Sequence, residues 1–214
     1  MTASRPDRLV AVVGTGTDVG KTWWAAAVLA AARAAGVVVA ARKPAQSHHP
    51  DQAGATDAHV LGAATGEAPE VVCPARWWFA VPLAPPMAAE VLGVLAPRLA
   101  QVLPVWPGGI ELGLVEAAGG VRSPLTADGD GLDLVAALAP DAVVLVADAG
   151  LGTISAVRLA VDALAGRGPW PTVVALNRFD PGDDLHRRNR GWLADHDGFD
   201  VVVDPAALAA RWAR

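Results

Sequence analysis

Tyrosine is absent from this chain, cysteine occurs once, and no apolar run is long enough to cross a bilayer. Each absence narrows the field. A single thiol, Cys73, cannot build a disulfide framework and fits a reducing compartment. A membrane span needs about 18 or more consecutive apolar residues, and none of that length occurs. The polar stretch from Met1 to Asp7 lacks the apolar core of a secretion signal. Charge is also scarce. Only 18% of residues are charged, 17 Lys and Arg stand against 22 Asp and Glu, and no basic stripe offsets the net −5. That balance argues against a nucleic-acid partner. The one basic cluster, His186-Arg187-Arg188-Asn189-Arg190, reads as a solvated helix face. Internal repeats and Pro/Gly/Ser-rich linkers are missing too. The expectation is one cytoplasmic domain over 1–214, binding neither nucleic acid nor membrane.

Apolar residues, at 53%, are plentiful enough for a well-packed core. Runs at 9–13, 37–42, 110–116, 142–148, 172–177 and 199–203 are almost uniformly apolar, as parallel strands buried on both faces should be. Alanine-rich or amphipathic stretches at 22–35, 57–65, 88–103, 154–165, 184–194 and 205–213 read as helices between them. The alternation predicts an α/β fold, a doubly wound, mainly parallel sheet with helices on both faces. Ligands bind such sheets at the carboxyl ends of the strands. Proline-rich spots at 82–86 and 104–107 read as loops framing a site. Eight tryptophans accompany the missing tyrosine. The pairs Trp23-Trp24 and Trp77-Trp78 read mainly as packing, with a substrate-lining role open for one of the second pair.

The strand at 9–13 empties into Gly14-Thr15-Gly16-Thr17-Asp18-Val19-Gly20-Lys21-Thr22, ahead of a helix. This is the layout of a phosphate-binding loop, whose backbone N–H groups and helix dipole face an anion. Lys21 is placed to reach β- and γ-phosphates and Thr22 to ligate Mg²⁺. The strict Gly-x4-Gly-Lys-Ser/Thr spacing is not met, because Gly14 lies six residues before Gly20 and Gly16 four.

Other strand ends carry charges on the same side. Lys43 follows the second strand and could neutralise a transferring phosphoryl group, or be a solvated lysine. Asp57 opens a helix, where an acidic residue also suits the dipole. Glu116 ends its strand, and a buried carboxylate there needs a counter-charge that Mg²⁺ could supply. Asp148 competes for that metal role, but the following Ala149-Gly150-Leu151-Gly152-Thr153 suggests a structural turn. The helix starting near Thr153 offers a second anion site at Gly152, Thr153 and Ile154. Asn177 and Asp180 are spaced like the base-reading element of GTPases, and read as base contacts of unknown preference.

Together these segments resemble the dethiobiotin synthetase family, of the P-loop NTPase fold, from Val12 to Pro205. The likeness rests on residues 14–22, Arg-Lys-Pro-Ala-Gln-Ser at 42–47, Thr-Asp-Ala at 56–58, Phe-Ala-Val-Pro-Leu-Ala-Pro at 79–85, 115–125, Leu-Gly-Thr-Ile at 151–154 and Leu-Asn-Arg-Phe at 176–179. The resemblance implies ATP-dependent ring closure of 7,8-diaminononanoate with CO₂, through a carbamate and a carbamic-phosphoric anhydride. It implies Lys21 and Lys43 as catalytic cations, Mg²⁺ on Thr22, Asp57 and Glu116, and Ser47 on the carbamate or amine. Nucleotide contacts are implied for Thr17, Asp18, Val19, Gly20, Trp23, Ala117, Ala118, Gly119, Asn177, Arg178 and Pro205, besides the metal residues and Lys21. It implies a homodimer, in which Gly152, Thr153, Ile154 and Ser155 receive the substrate carboxylate from the partner subunit. Departures from the family pattern are Asp18 for Glu, Ala117 for Gly, Ser155 for Asn, Arg178 for an acidic residue and Pro86 for His.

Three rivals share parts of this pattern. A partition- or Min-type regulatory ATPase carries a further lysine early in the loop, where Thr15 stands here, and the 206–214 segment is too short and too weakly basic for its C-terminal tip. A cobyrinate-type amide synthase needs a glutaminase domain with a nucleophilic cysteine, which Cys73 does not provide. A small GTPase rests only on Asn177 and Asp180.

Overall fold

The structure, a computed structural model, describes residues 4–52 and 56–212. Its centre is a six-stranded parallel sheet. The strands are β1 (Arg8–Gly14), β2 (Val39–Arg42), β5 (Leu112–Glu116), β8 (Ala142–Asp148), β9 (Thr172–Asn177) and β10 (Asp200–Val202), in the order β10-β9-β8-β1-β5-β2. Two short ladders flank it, β3 (Gln46–Ser47) with β4 (Trp78–Phe79), and β6 (Pro124–Thr126) with β7 (Gly129–Asp130). Both faces of β1 are buried. Val10 and Val12 face a core shared with Trp24, Val28 and Leu29 of α1 (Lys21–Ala34), Leu61 of α2 (Asp57–Thr65) and Leu208 of α9 (Pro205–Trp212). Leu9, Ala11 and Val13 face a second core, with Leu132 and Val135 of α6 (Gly131–Leu138) and Val157 of α7 (Thr153–Ala165). The uniform apolarity of the strands therefore reflects two cores, one on each side of the sheet.

β1 is flanked by β5 and β8: from β1 the chain runs out to β2, returns to β5, and then crosses to β8 on the other side of β1. Such a switch point opens a crevice at the strands' carboxyl ends. Register brings those ends together: Val12 pairs with Glu116, and Asp148 with Asn177.

The six strands of the central sheet match expectation within two residues; the short strands β3, β4, β6 and β7 are additional to it, and four further differences concern helices and loops. The helix expected at 88–103 is two, α4 (Pro85–Val91) and α5 (Leu99–Val102). Gly93, in the left-handed region at φ 65, and Pro97 break the run that its alanines and leucines suggest. The expected 184–194 helix is α8 (Asp184–Gly191), continued by a π-type turn at Trp192–His196. The helices α3 (Pro69–Val72) and α6 were not expected; α6 starts at the Asp130 cap, whose carboxylate accepts from the Leu132 and Asp133 N–H groups. Finally, Pro104 and Pro107 do not frame the site, since their segment turns Trp106 inward, under the Arg42 guanidinium at 4.9 Å. Ala213, the expected last residue of the final helix, lies outside the described residues.

Candidate active site

The loop after β1 closes on itself because Gly14 has no side chain. A Cβ there would stand 2.9 Å from Val19 Cγ2 and 3.0 Å from the Gly16 carbonyl oxygen. At its far end Gly20 adopts φ +93, and a Cβ would fall 1.9 Å from the Asn177 amide nitrogen. α1 starts at once at Lys21, so the loop runs directly into a helix N-terminus. Lys21 Nζ donates to the Gly16 carbonyl at 2.9 Å, which folds the side chain back across the loop. Burial, and then the charge on Lys43, lower the Lys21 pKa to about 8.

Beside the loop, two strands and two helices deliver one tight polar cluster. Lys43, just past β2, places Nζ 2.6 Å from Glu116 Oε1 at the end of β5 and 2.8 Å from Asp57 Oδ2 at the start of α2. Thr22 Oγ1, in the first turn of α1, lies 2.8 Å from Asp57 Oδ1 and 2.8 Å from Glu116 Oε1. Lys43 is thus a buried charge, not a solvated one. Burial opposes its ammonium, but Asp57 and Glu116 override it and hold its pKa above the ordinary value. For Asp57 burial likewise opposes ionisation, and Lys43 with Thr22 brings its pKa below the usual carboxylate value. Burial dominates at Glu116 and raises its pKa. Gln46 locks α2 against this cluster: its amide donates to Thr56 Oγ1 at 3.0 Å and its carbonyl accepts from the Ala58 N–H at 3.0 Å.

The cluster also meets the demands of a hard divalent cation. A hydroxyl has one proton, so Thr22 can donate to only one of its two carboxylate neighbours at a time. Glu116 Oε2 is buried and has no hydrogen-bond partner among the described residues. One hydroxyl and two carboxylates form an all-oxygen set that fits Mg²⁺ while leaving most of its coordination to phosphate and water. Asp148, the rival metal residue, is instead tied to Arg178 at 2.7 Å and accepts from the Gly150 N–H.

Two joined clefts lie over the loop. The larger, about 900 Å³, is lined by Thr17, Asp18, Gly20, Lys21, Thr22, Lys43, Ser47, Asp57, Glu116, Ala118, Gly119 and Arg178, all named above from sequence. Ser47 Oγ is buried there without a partner among the described residues. The smaller, about 450 Å³, has Trp23, Trp24, Phe179 and Val203 around Gly20, Asn177 and Arg178. Val19 and Ala117 sit behind the lining, and Pro205 opens α9 two residues beyond Val203.

Some expected residues stand elsewhere. Gly152, Thr153, Ile154 and Ser155 line neither cleft. Asp180 is turned to the Gly182 N–H at 2.7 Å and lines neither. Trp77 and Trp78 also stay out of both, and the Trp78 indole donates to the Cys73 carbonyl at 2.8 Å. Sequence reasoning missed Gln46, His48, His49, Thr56 and Ser123, which line the larger cleft. Gln46 carried a usable signal, because it lies four residues beyond the end of an expected strand whose carboxyl end faces the loop.

Comparison with known proteins agrees with this geometry. A family model described as an AAA domain matches residues 8–202. The ATP-dependent dethiobiotin synthetase BioD of Anaeromyxobacter dehalogenans (strain 2CP-C) is 44% identical over 178 residues, covering 81% of this chain and 78% of that one. The protein of the same name from Phenylobacterium zucineum (strain HLK1) is 40% identical over 220 residues, covering 94% and 90%. Among solved structures, chloroplast FtsY from Physcomitrella patens superposes with a TM-score of 0.50 at 14% identity, covering 98% of this chain and 65% of that one. That likeness concerns the fold alone.

Proposed function

The chain belongs to the ATP-dependent dethiobiotin synthetase family, and on that premise we propose how its residues divide the work of the reaction. The protein converts 7,8-diaminononanoate, CO₂ and ATP into dethiobiotin, ADP and phosphate, in biotin biosynthesis. One amine takes up CO₂ as a carbamate, a carbamate oxygen attacks the γ-phosphorus, and ADP leaves. The second amine then attacks the carbonyl of the carbamic-phosphoric anhydride, closing the ureido ring and expelling phosphate.

The chemistry asks for alignment and charge neutralisation more than for a nucleophile on the protein. The loop from Thr17 to Thr22 holds the phosphates by its N–H groups and Lys21. Ala117, Ala118 and Gly119 close over the phosphates from the β5 side. Thr22, Asp57 and Glu116 hold Mg²⁺, which supplies positive charge to the β- and γ-phosphates when bound. Lys43 is released from its two carboxylates to face the carbamate and the transferring phosphoryl group. The buried Ser47 hydroxyl, without a partner among the described residues, serves the carbamate or an amine. Trp23, Asn177 and Pro205 flank the nucleotide base, with Arg178 at the junction of the two clefts. The observation that carries this reading is the convergence of Lys43, Glu116, Asp57 and Thr22 within 2.6–2.8 Å contacts at the mouth of a glycine loop.

The carboxylate tail of the diamine is bound by a second subunit, at the N–H groups of Gly152–Ser155. Three observations support a homodimer of this kind. That turn lies outside the chain's own cleft, Leu151 and Leu159 beside it are 91% and 70% exposed, and Thr153 Oγ1 is buried without a partner among the described residues. The cytoplasm is the compartment in which ATP, the diamine and a free thiol coexist. No helix among the described residues is long and apolar enough to cross a membrane.

The test is incorporation of ¹³C-bicarbonate into product. One labelled carbon in a ring-closed product, dependent on both ATP and the diamine, is expected. ATP turnover indifferent to the diamine contradicts the reading and favours a regulatory ATPase.

A further inference from the structure

Arg178 belongs to none of the reacting groups, yet its guanidinium is held on two sides. One nitrogen lies 2.7 Å from Asp148 Oδ2, and another donates to the Asp18 carbonyl at 2.9 Å. The residue before it, Asn177, donates its amide to the Val19 carbonyl at 3.0 Å. Two consecutive residues at the end of β9 thus grip two consecutive carbonyls of the phosphate loop. Arg178 reaches the loop because its own backbone turns to φ 56, a conformation uncommon outside glycine. Asp18, at φ 57, has the same uncommon backbone and needs something to hold it there.

Peptide units are planar and here all trans, so a carbonyl and the following N–H point opposite ways. Pulling the Asp18 and Val19 carbonyls towards β9 therefore turns the Val19 and Gly20 N–H groups away from it. Neither N–H donates to another backbone or side-chain group among the described residues. The far anchor is rigid as well, since Asp148 also accepts from the Gly150 N–H and pairs with Asn177 across β8 and β9. We infer that Arg178 is a positioning residue for phosphate binding, a strut between Asp148 and the Asp18 carbonyl that keeps the loop in its anion-accepting shape before nucleotide arrives. The inference rests on the reading that this loop binds the phosphates of ATP.

An exposed ion pair adds little to global stability, so the strut acts on affinity rather than on melting. The test compares wild type, Arg178→Ala, Arg178→Lys, Asp148→Asn and the Arg178→Ala/Asp148→Asn double variant, by calorimetric titration with Mg·ATP and with inorganic tripolyphosphate. The expected result for Arg178→Ala is a Kd about tenfold higher for both probes and a parallel rise in the KM for ATP, as for loss of one charge-assisted hydrogen bond. The KM for the diamine stays within about twofold, so the change is read in ATP binding. Arg178→Lys, which reaches only one acceptor, recovers part of the affinity. Asp148→Asn weakens binding similarly, and the double variant is no worse than Arg178→Ala alone. Three results overturn the inference: an unchanged Kd in Arg178→Ala, a loss with ATP but not with tripolyphosphate, or additive losses in the double variant. Failure of wild type to bind either probe would instead overturn the ATP reading itself.

Discussion

Lys43 Nζ meets Glu116 Oε1 at 2.6 Å, and the two side chains are 3% and 0% exposed. Neither charge is tolerable there alone. Glu116 would be an uncompensated carboxylate at the end of a buried strand, and Lys43 an ammonium without water. The pair explains how a lysine can be stored, charged and dry, beside the phosphate loop until substrates displace its partners.

Replacement of Lys43 by Met separates these two roles. Stability falls by about 3–5 kcal/mol, because Glu116 and Asp57 lose their cation. The double variant Lys43→Met/Glu116→Gln regains most of that loss but makes no product. Thermal melts and product assays on both variants check this; a double variant as unstable as the single one, or any retained ring closure, contradicts it.

Glu116→Gln keeps the shape of the cluster but removes a negative oxygen. The Mg²⁺ concentration needed for half-maximal activity rises about 10- to 100-fold, and Mg·ATP binding weakens. Titration with Mg²⁺ at fixed ATP reads this out. If Asp148→Asn shows the larger effect, the metal residues have been assigned to the wrong strand.

The strands were readable because burial on two faces leaves only apolar choices, and the glycine loop because few other functions place Lys-Thr after such a turn. Lys43, Asp57 and Glu116 could be named singly as charges at strand and helix ends. That they touch could not be read, since their contacts span 73 residues between Lys43 and Glu116 and depend on sheet order. The long helix at 88–103 misled because alanine and leucine favour helix more than Gly93 and Pro97 advertise a break. The use of Arg178 was hidden in a backbone turn, φ 56, that no local pattern announces.

The α7 turn should matter to the diamine and not to the nucleotide. Ser155→Asp sets a carboxylate against the substrate tail and raises the diamine KM about tenfold or more, with the KM for ATP nearly unchanged. Leu159→Asp, on the same exposed surface, converts a dimer to monomer in sedimentation analysis and lowers ring closure with it. A monomeric wild type, or an ATP effect in Ser155→Asp, removes the two-subunit site.

Cys73 is buried, and burial pushes its thiol up to about 12. The native protein should resist alkylation at pH 8 and react only on unfolding. Because the folded pKa is the higher one, the unfolded chain releases this proton first. Stability contributed by the thiol is complete below about pH 9 and is lost as pH rises towards about 12. Cys73→Ala flattens that part of the stability profile; rapid native alkylation at pH 8 contradicts the burial.

The most direct test of the whole account is phosphate release from Mg·ATP, measured with and without 7,8-diaminononanoate and bicarbonate. The account predicts release that depends on both, matched one for one by dethiobiotin, and abolished in Lys43→Met. Equal release without the diamine would contradict it.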